Sequence, residues 1–358
     1  MKVLLKERQY KKLIREVKGV SESSIMYINL IYNELERIMY KLIAKGKKFD
    51  AEITFDLHEI VPLANANIDS FIDFPIEDIV VSLTLMYNKK PTDSIGKTFS
   101  TNGAAYPIVE VDDEDDDYDN TVLIEPSSEL PLSVLENVDK VLRAKFDFGV
   151  TLFKNFDETH IDEMLYDLRD TITHELNHMY EFFKRSENIG VQKMNLALSF
   201  AGSKNVNTPK KIYNEYEKFL FMLYYSEPWE INANVQEALS KVLRMSFDEF
   251  KETTQWKWAT LMENFNADEF YQNLVKITEE RTPEAVDFHI KGLHKQYKKQ
   301  YIKLSFAYLE DEFDFMTDKV LKTDDLKGLF KLFQNRINNA GRTLKKKYMR
   351  LYTVERDE

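Results

Sequence analysis

His174 and His178 stand four residues apart and frame a glutamate in Thr171-Ile172-Thr173-His174-Glu175-Leu176-Asn177-His178. On an α-helix, residues four apart lie one above the other, so both imidazoles can point a ring nitrogen at a single metal ion. Glu175 lies about 100° around the helix from His174 and about 60° from His178. It therefore stands beside the metal-facing stripe, where its carboxylate can meet a water without becoming a ligand. This is the His-Glu-x-x-His spacing of zinc sites that activate water. With 6 His in 358 residues, a chance occurrence of the pattern is on the order of one per cent. The chain has no Cys, which excludes thiolate ligands and disulfides and leaves His and carboxylates to hold any metal.

The surrounding residues predict the helix that would carry the motif. Ile161, Met164, Leu165, Leu168, Ile172, Leu176, Met179 and Phe183 form one stripe at helical spacing, and no Pro or Gly interrupts residues 157–188. The two histidines flank that stripe, which places them at the base of a cleft. Asp170, one turn before His174, and Glu181, three residues after His178, are placed to accept the histidines' second N–H groups.

A catalytic zinc usually takes three protein ligands and keeps one position open. The longer motif with a third histidine would need Gly at 181 and His at 184; Glu181 and Lys184 stand there instead. A downstream carboxylate remains, and the best placed is Glu230 in Tyr224-Tyr225-Ser226-Glu227-Pro228-Trp229-Glu230-Ile231-Asn232-Ala233. Pro228 suits the first position of a helix, Glu230 then falls in its first turn, and Ala233 leaves that face open to a neighbouring helix. Glu227 is the competitor, since it precedes the helix and could cap it.

Composition bounds the rest. Hydrophobic residues at 43% and charged residues at 31% are those of a soluble globular chain, long enough for one large domain or two lobes. Aromatics are plentiful, with 24 Phe and 19 Tyr against 10 Gly and 9 Pro, which favours long helices over a turn-rich all-β fold. The net charge of −12 argues against a general nucleic-acid binder. No segment has the apolar length of a membrane-spanning helix or a secretory signal, so no membrane partner is expected.

Along the chain, residues 1–18 read as a short basic amphipathic helix or docking peptide, set off by Gly19 and the Ser21–Ser24 cluster. A helix is predicted over Ile25–Ala44 and strands over Ala51–Leu57 and Ile79–Tyr87. Ala104–Val111 and Thr121–Ile124 form a hairpin around the acidic run Glu110–Asp119. That run lacks the glycine and distal glutamate of an EF-hand loop and reads as a solvated tip. A short helix is expected over Leu132–Leu142, and Lys145–Phe153 as the last strand, at an edge of the sheet. Beyond Arg185 no strand is expected. Residues 186–208 form an irregular insertion, and helices follow over 209–225, 228–245, 247–262, 267–277, 284–306 and 326–351. The division is therefore 1–20, an α+β lobe over 21–185, and a helical lobe over 186–358. His58 and His160 lie outside any metal spacing and are expected to be structural.

The chain resembles the gluzincin-type zincins, in which a mixed sheet and motif helix precede a helical lobe whose glutamate completes the site. Its Tyr-Tyr-x-x-x-x-Glu-Ile-x-Ala element (Tyr224 to Ala233) is similar to that of zincin-like proteins encoded by tailed phages. Residues 5–14 (Leu-Lys-Glu-Arg-Gln-Tyr-Lys-Lys-Leu-Ile) are similar to short openings of other tailed-phage proteins. The resemblance covers residues from about 25 to the C-terminus. It implies a zincin-like α+β fold, with a small twisted mixed sheet before the motif helix and a mainly helical part after it. It makes His174, His178 and Glu230 ligands of Zn2+ and Glu175 the general base of peptide-bond hydrolysis. The donor such enzymes supply as Tyr or His has no matching motif, which leaves Tyr225, His289 and His294 as candidates. It further implies a protein or peptide substrate and action in the bacterial host cytoplasm or from within a phage virion. The N-terminal segment would be the point of contact with other virion proteins. The competing expectation is a phage structural or cargo protein that uses the fold for packing; an intact Glu175 speaks against it, because a structural site needs no base.

Overall fold

In the computed structural model the described residues are 22–44, 51–56, 78–88, 98–111, 121–123, 138–184, 209–242, 244–280, 286–307 and 318–353. The basic opening, His58, the acidic tip beyond Val111 and the 186–208 insertion lie outside them. The described chain is mixed α+β and mostly helical, with one sheet.

The first lobe consists of helix α1 (Glu22–Ala44), strands β1 (Ala51–Asp56), β2 (Asp78–Asn88), β3 (Phe99–Val111), β4 (Thr121–Leu123) and β5 (Val138–Phe153), and helix α2 (Ile161–Lys184). The strand order is β1-β2-β5-β3-β4; β2 and β5 run parallel and the other pairs antiparallel, so the sheet is mixed. Alternation decides its faces. Ile79, Val81, Leu83 and Leu85 of β2 point inward beside Ala144, Phe146, Phe148 and Val150 of β5. There they meet Ile31, Leu35 and Met39 of α1 and Met164, Leu165, Leu168 and Ile172 of α2, all buried in one continuous core.

Two sequence expectations are corrected here. The segment 145–153 is not an edge: β5 lies between β2 and β3 and pairs with both over most of its length. Its alternating Phe146, Phe148 and Val150 fill the middle of the core, which is where a strand bonded on both sides belongs. The helix expected over 132–142 gives way to strand from Val138, where β5 continues its pairing with β3 through two register shifts opposite Ile108–Val111.

β3 also starts earlier than its apolar alternation suggested, at Phe99. Residues 99–103 are mostly polar because they pack against α2. Thr101 Oγ1 donates to Asp167 at 2.6 Å, and Gly103 lets α2 come close. A Cβ there would stand 2.7 Å from Thr171 Cγ2 and 2.8 Å from Glu175 Cγ, closer than real Cβ contacts.

The second lobe is helical. It holds α3 (Lys210–Tyr225), α4 (Pro228–Val242), α5 (Phe247–Lys251), α6 (Thr254–Glu263), α7 (Ala267–Glu279), α8 (Val286–Ala307) and α9 (Leu326–Thr353). Among the described residues no strand follows α2. Pro209 and Pro228 open α3 and α4 as their fixed φ and missing N–H favour. The single helix expected over 247–262 is two, because Ser246 caps α5 with a capping box and Thr253 caps α6 two residues after α5 ends. α9 crosses α6 at Gly341, where a Cβ would come 2.3 Å from the Glu263 backbone nitrogen. Asn338 Nδ2 donates to the carbonyls of Met262, Glu263 and Phe265, each at 3.0 Å, and ties the end of α6 to α9. No described helix is long and apolar enough to cross a membrane.

Candidate metal centre

The lobes meet where α2 packs against α4. The facing residues are polar: Asp170, His174 and His178 of α2 look onto Glu230, Glu237, Ser240 and Lys241 of α4 and onto Arg244 just beyond it. α2 turns its apolar stripe toward the sheet, which leaves this stripe for α4. Of the stripe read from sequence, Ile161, Met164, Leu165, Leu168, Ile172 and Leu176 are buried; the Met179, Phe183 and Glu181 side chains are not among the described ones.

Three side chains converge. The Nε2 atoms of His174 and His178 are 3.0 Å apart. Glu230 Oε1 lies 3.0 Å from His178 Nε2, and Glu230 Oε2 lies 3.5 Å from His174 Nε2. A tetrahedral ion with bonds of about 2.0–2.1 Å holds its ligand atoms roughly 3.3–3.4 Å apart, so the three separations bracket that value. The group is also buried: Glu230 is fully inaccessible and His178 nearly so. Neither Glu230 oxygen receives a hydrogen bond from a described residue. A buried carboxylate without donors costs several kcal/mol unless a cation answers it. The two imidazoles face it, and the Tyr224 phenol lies beside it. His174, His178 and Glu230 could therefore hold a metal ion, and they form the one such group of His and carboxylates among the described residues.

Without the ion the charges settle on the same atoms. Burial pulls the His174 pKa down, but Glu230 and Glu237 outweigh it and hold the imidazole well above its usual range. Burial pushes Glu230 up, and His178 and His174 together hold its carboxyl far below the usual carboxylate range. The cluster thus favours positive charge at the point where its nitrogens and carboxylate oxygens meet, as a site for a cation would.

Glu175 is kept apart from the ligand set. It is buried under Gly103 of β3, and burial raises its carboxyl despite the nearby His178 and His174. That combination suits a group that takes up and returns a proton. Tyr224 adjoins both acids: burial first, then Glu230, lifts its phenol well above the ordinary value, with a smaller push from Glu175. Tyr225, named from sequence, packs its ring against Trp258 at 5.7 Å and is raised by burial and more weakly by Glu230 and Glu237. Sequence alone could not separate adjacent tyrosines whose side chains point about 100° apart on a helix.

Other candidates fall elsewhere. Glu227 is not a ligand; it pairs with Arg336 of α9, which also donates to Ser226 Oγ at 2.9 Å and so bolts the α3–α4 corner ahead of Glu230. Asp170 does not serve His174. It is engaged by Arg244, by Ser240 Oγ and by Lys241 Nζ at 3.4 Å, because its position on α2 faces the C-terminal end of α4. His174 Nδ1 instead has the Glu237 carboxylate at 3.4 Å. Glu237 was missed, although it lies seven residues after Glu230, two turns along the same face. His294 bonds Thr323 Oγ1 at 2.9 Å, and His289 rests against Phe288; neither joins the cluster. His160 sits in the capping box with Asp157 that precedes α2, a structural role. No protein-family model, curated protein or solved structure matches the chain.

Proposed function

We propose that this protein is a zinc-dependent metallopeptidase of the zincin type, with His174, His178 and Glu230 as ligands and Glu175 as general base. The observation that carries the reading is the convergence of three lone-pair atoms from two lobes at separations an ion can bridge, beside a buried carboxylate that is not itself a ligand. Two imidazoles and one carboxylate are a ligand set suited to zinc and leave one position for water or substrate. When bound, zinc supplies Lewis acidity that acidifies a coordinated water and polarises a carbonyl.

The protein's own residues supply the rest. His174 and His178 hold their nitrogens on one face of α2, and Glu230 closes the third side from α4. Glu175 accepts a proton from water at its carboxylate, its raised pKa making the uptake easier, and later delivers it to the leaving amine. Tyr224, whose phenol interacts with Glu230 and Glu175, would be the hydroxyl to donate toward a developing oxyanion. Peptide-bond hydrolysis is chosen over other hydrolyses by analogy with the family the sequence resembles; the substrate is then a protein or peptide. A virion or host-cytoplasm setting rests on the same resemblance.

Metal analysis of the purified chain, followed by digestion of a peptide library, tests this. Wild type should carry one equivalent of zinc and cleave; chelation should stop cleavage. Glu175→Gln should keep zinc while losing about two to four orders of magnitude in rate. Zinc without cleavage, or equal cleavage by the Gln variant, would replace the enzyme by the structural or cargo protein.

A further inference from the structure

Beyond the metal cluster, the α2–α4 seam carries a second set of buried polar groups that the chemistry above does not use. Glu237 is its hub. One face of its carboxylate approaches His174 Nδ1 at 3.4 Å, and Lys241 Nζ holds the other at 2.8 Å. Lys241 is fixed in turn by Gln255 Oε1 at 2.6 Å and by Asp170 at 3.4 Å, and Asp170 by Arg244. His174 Nδ1 is buried and finds no fully aligned hydrogen bond among the described residues. Glu237 is the carboxylate within reach, and its present length is that of an ion pair just short of a closed hydrogen bond.

We propose that Glu237 is a positioning residue for the metal ligand His174: it accepts the Nδ1 proton, keeps Nε2 unprotonated toward the ion, and is itself held by Lys241. The inference rests on the metal-site reading. An imidazole that binds metal through Nε2 must carry its proton on Nδ1, and a buried Nδ1–H without an acceptor is costly. Carboxylates that take this proton orient the ring and make it a better ligand. Lys241 Nζ, 2.8 Å from Glu237 Oε1, supplies the counter-charge that this buried carboxylate needs. His178 Nδ1 has no hydrogen-bond partner among the described residues, so the two histidines are supported unequally.

The test is zinc affinity of the full chain, measured by competition with a chelating dye for wild type, Glu237→Ala, Glu237→Gln and Asp170→Asn. Glu237→Ala should bind zinc about 10–100-fold more weakly. Glu237→Gln keeps the shape and an oxygen that accepts Nδ1–H, and should recover most of that loss. Asp170→Asn disturbs the same network one step further out, through the shared Lys241 and not at His174, and should weaken zinc binding less than Glu237→Ala does. Nitrogen NMR of the zinc-loaded wild type should show His174 protonated at Nδ1; a general loosening of the seam would not move that signature. Equal affinity of wild type and Glu237→Ala would overturn the positioning role while leaving the metal site intact. So would a Gln variant as weak as Ala, or an Asp170→Asn loss as large as either. A wild type that binds no zinc would overturn the metal site and this role together.

Discussion

The core between the sheet, α1 and α2 is filled mostly by aliphatic side chains, such as Ile31, Leu35, Leu83, Val150 and Leu168, with Phe146 and Phe148 stacked at its centre 6.1 Å apart. The helical lobe is filled by rings. Phe219 alone lies within ring-contact distance of Tyr216, Phe265, Phe270, Tyr297, Phe330 and Phe333. Pleated strands bring small branched groups into register, whereas helices packed about 8–10 Å apart leave gaps that large rings close. Between the two cores neither filling continues. The α2–α4 seam is polar, and the only way to bury so many ionisable groups is to pair them with one another or with an ion. The difference between the lobes thus explains why the group that could hold a metal ion lies at their joint, with two of its side chains from one lobe and one from the other.

Removing a proposed ligand from either lobe should have the largest effect. His178→Ala in the first lobe and Glu230→Ala in the second should each weaken zinc binding by more than about 100-fold, since a ligand matters more than its supporting groups. Retention of a full zinc equivalent by one of them, read by metal analysis after dialysis, would show that the ion does not bridge the lobes.

Core truncations come next. Phe219→Ala should cost about 3–5 kcal/mol, toward the top of the range because six rings lose a neighbour. Urea unfolding would measure the loss. Hydrogen exchange should then show the helical lobe losing protection while the β2 and β5 amides keep theirs; equal loss in both would mean the two cores unfold as one.

A smaller pair of effects contrasts two close approaches. Gly341→Ala drives a Cβ into the backbone of α6, which cannot step aside, and should cost about 1–3 kcal/mol. Gly103→Ala meets the side chains of Thr171 and Glu175, which can yield, so its thermal cost should be lower while the proposed peptidase activity should fall because Glu175 moves. Melting temperature and rate, measured together, separate the two; a Gly103→Ala variant with unchanged rate would contradict the contact. Least of all, Thr253→Ala removes the α6 cap and should cost about 1 kcal/mol, confined to the helical lobe.

Much of this could be read along the chain, because it depends on neighbours in sequence. The motif helix follows from an unbroken apolar stripe, the openings of α3 and α4 from Pro209 and Pro228, and the inner faces of β2 and β5 from strict alternation. Helical spacing by itself placed His174, Glu175 and His178 in their relation, since four residues make nearly one turn. Glu230 was preferred to Glu227 for a local reason, the first turn after a proline. What separates them in the fold is distant: Arg336 on α9 holds Glu227, while Glu230 faces the two imidazoles.

The remainder was set only by how the elements cross. The segment 145–153 reads as an edge strand until β2 and β3 are seen to bond it on both sides. The polar start of β3 makes sense only with α2 lying over it. Asp170 stands one turn before His174 on the same helix, and Glu237 two turns after Glu230 on another. Which of them faces its ring depends on the angle and offset at which α2 meets α4. Sequence periodicity specifies a side chain's direction around its own helix; the partner it meets there is fixed by the packing of a second helix, whose position comes from burying two different cores at once.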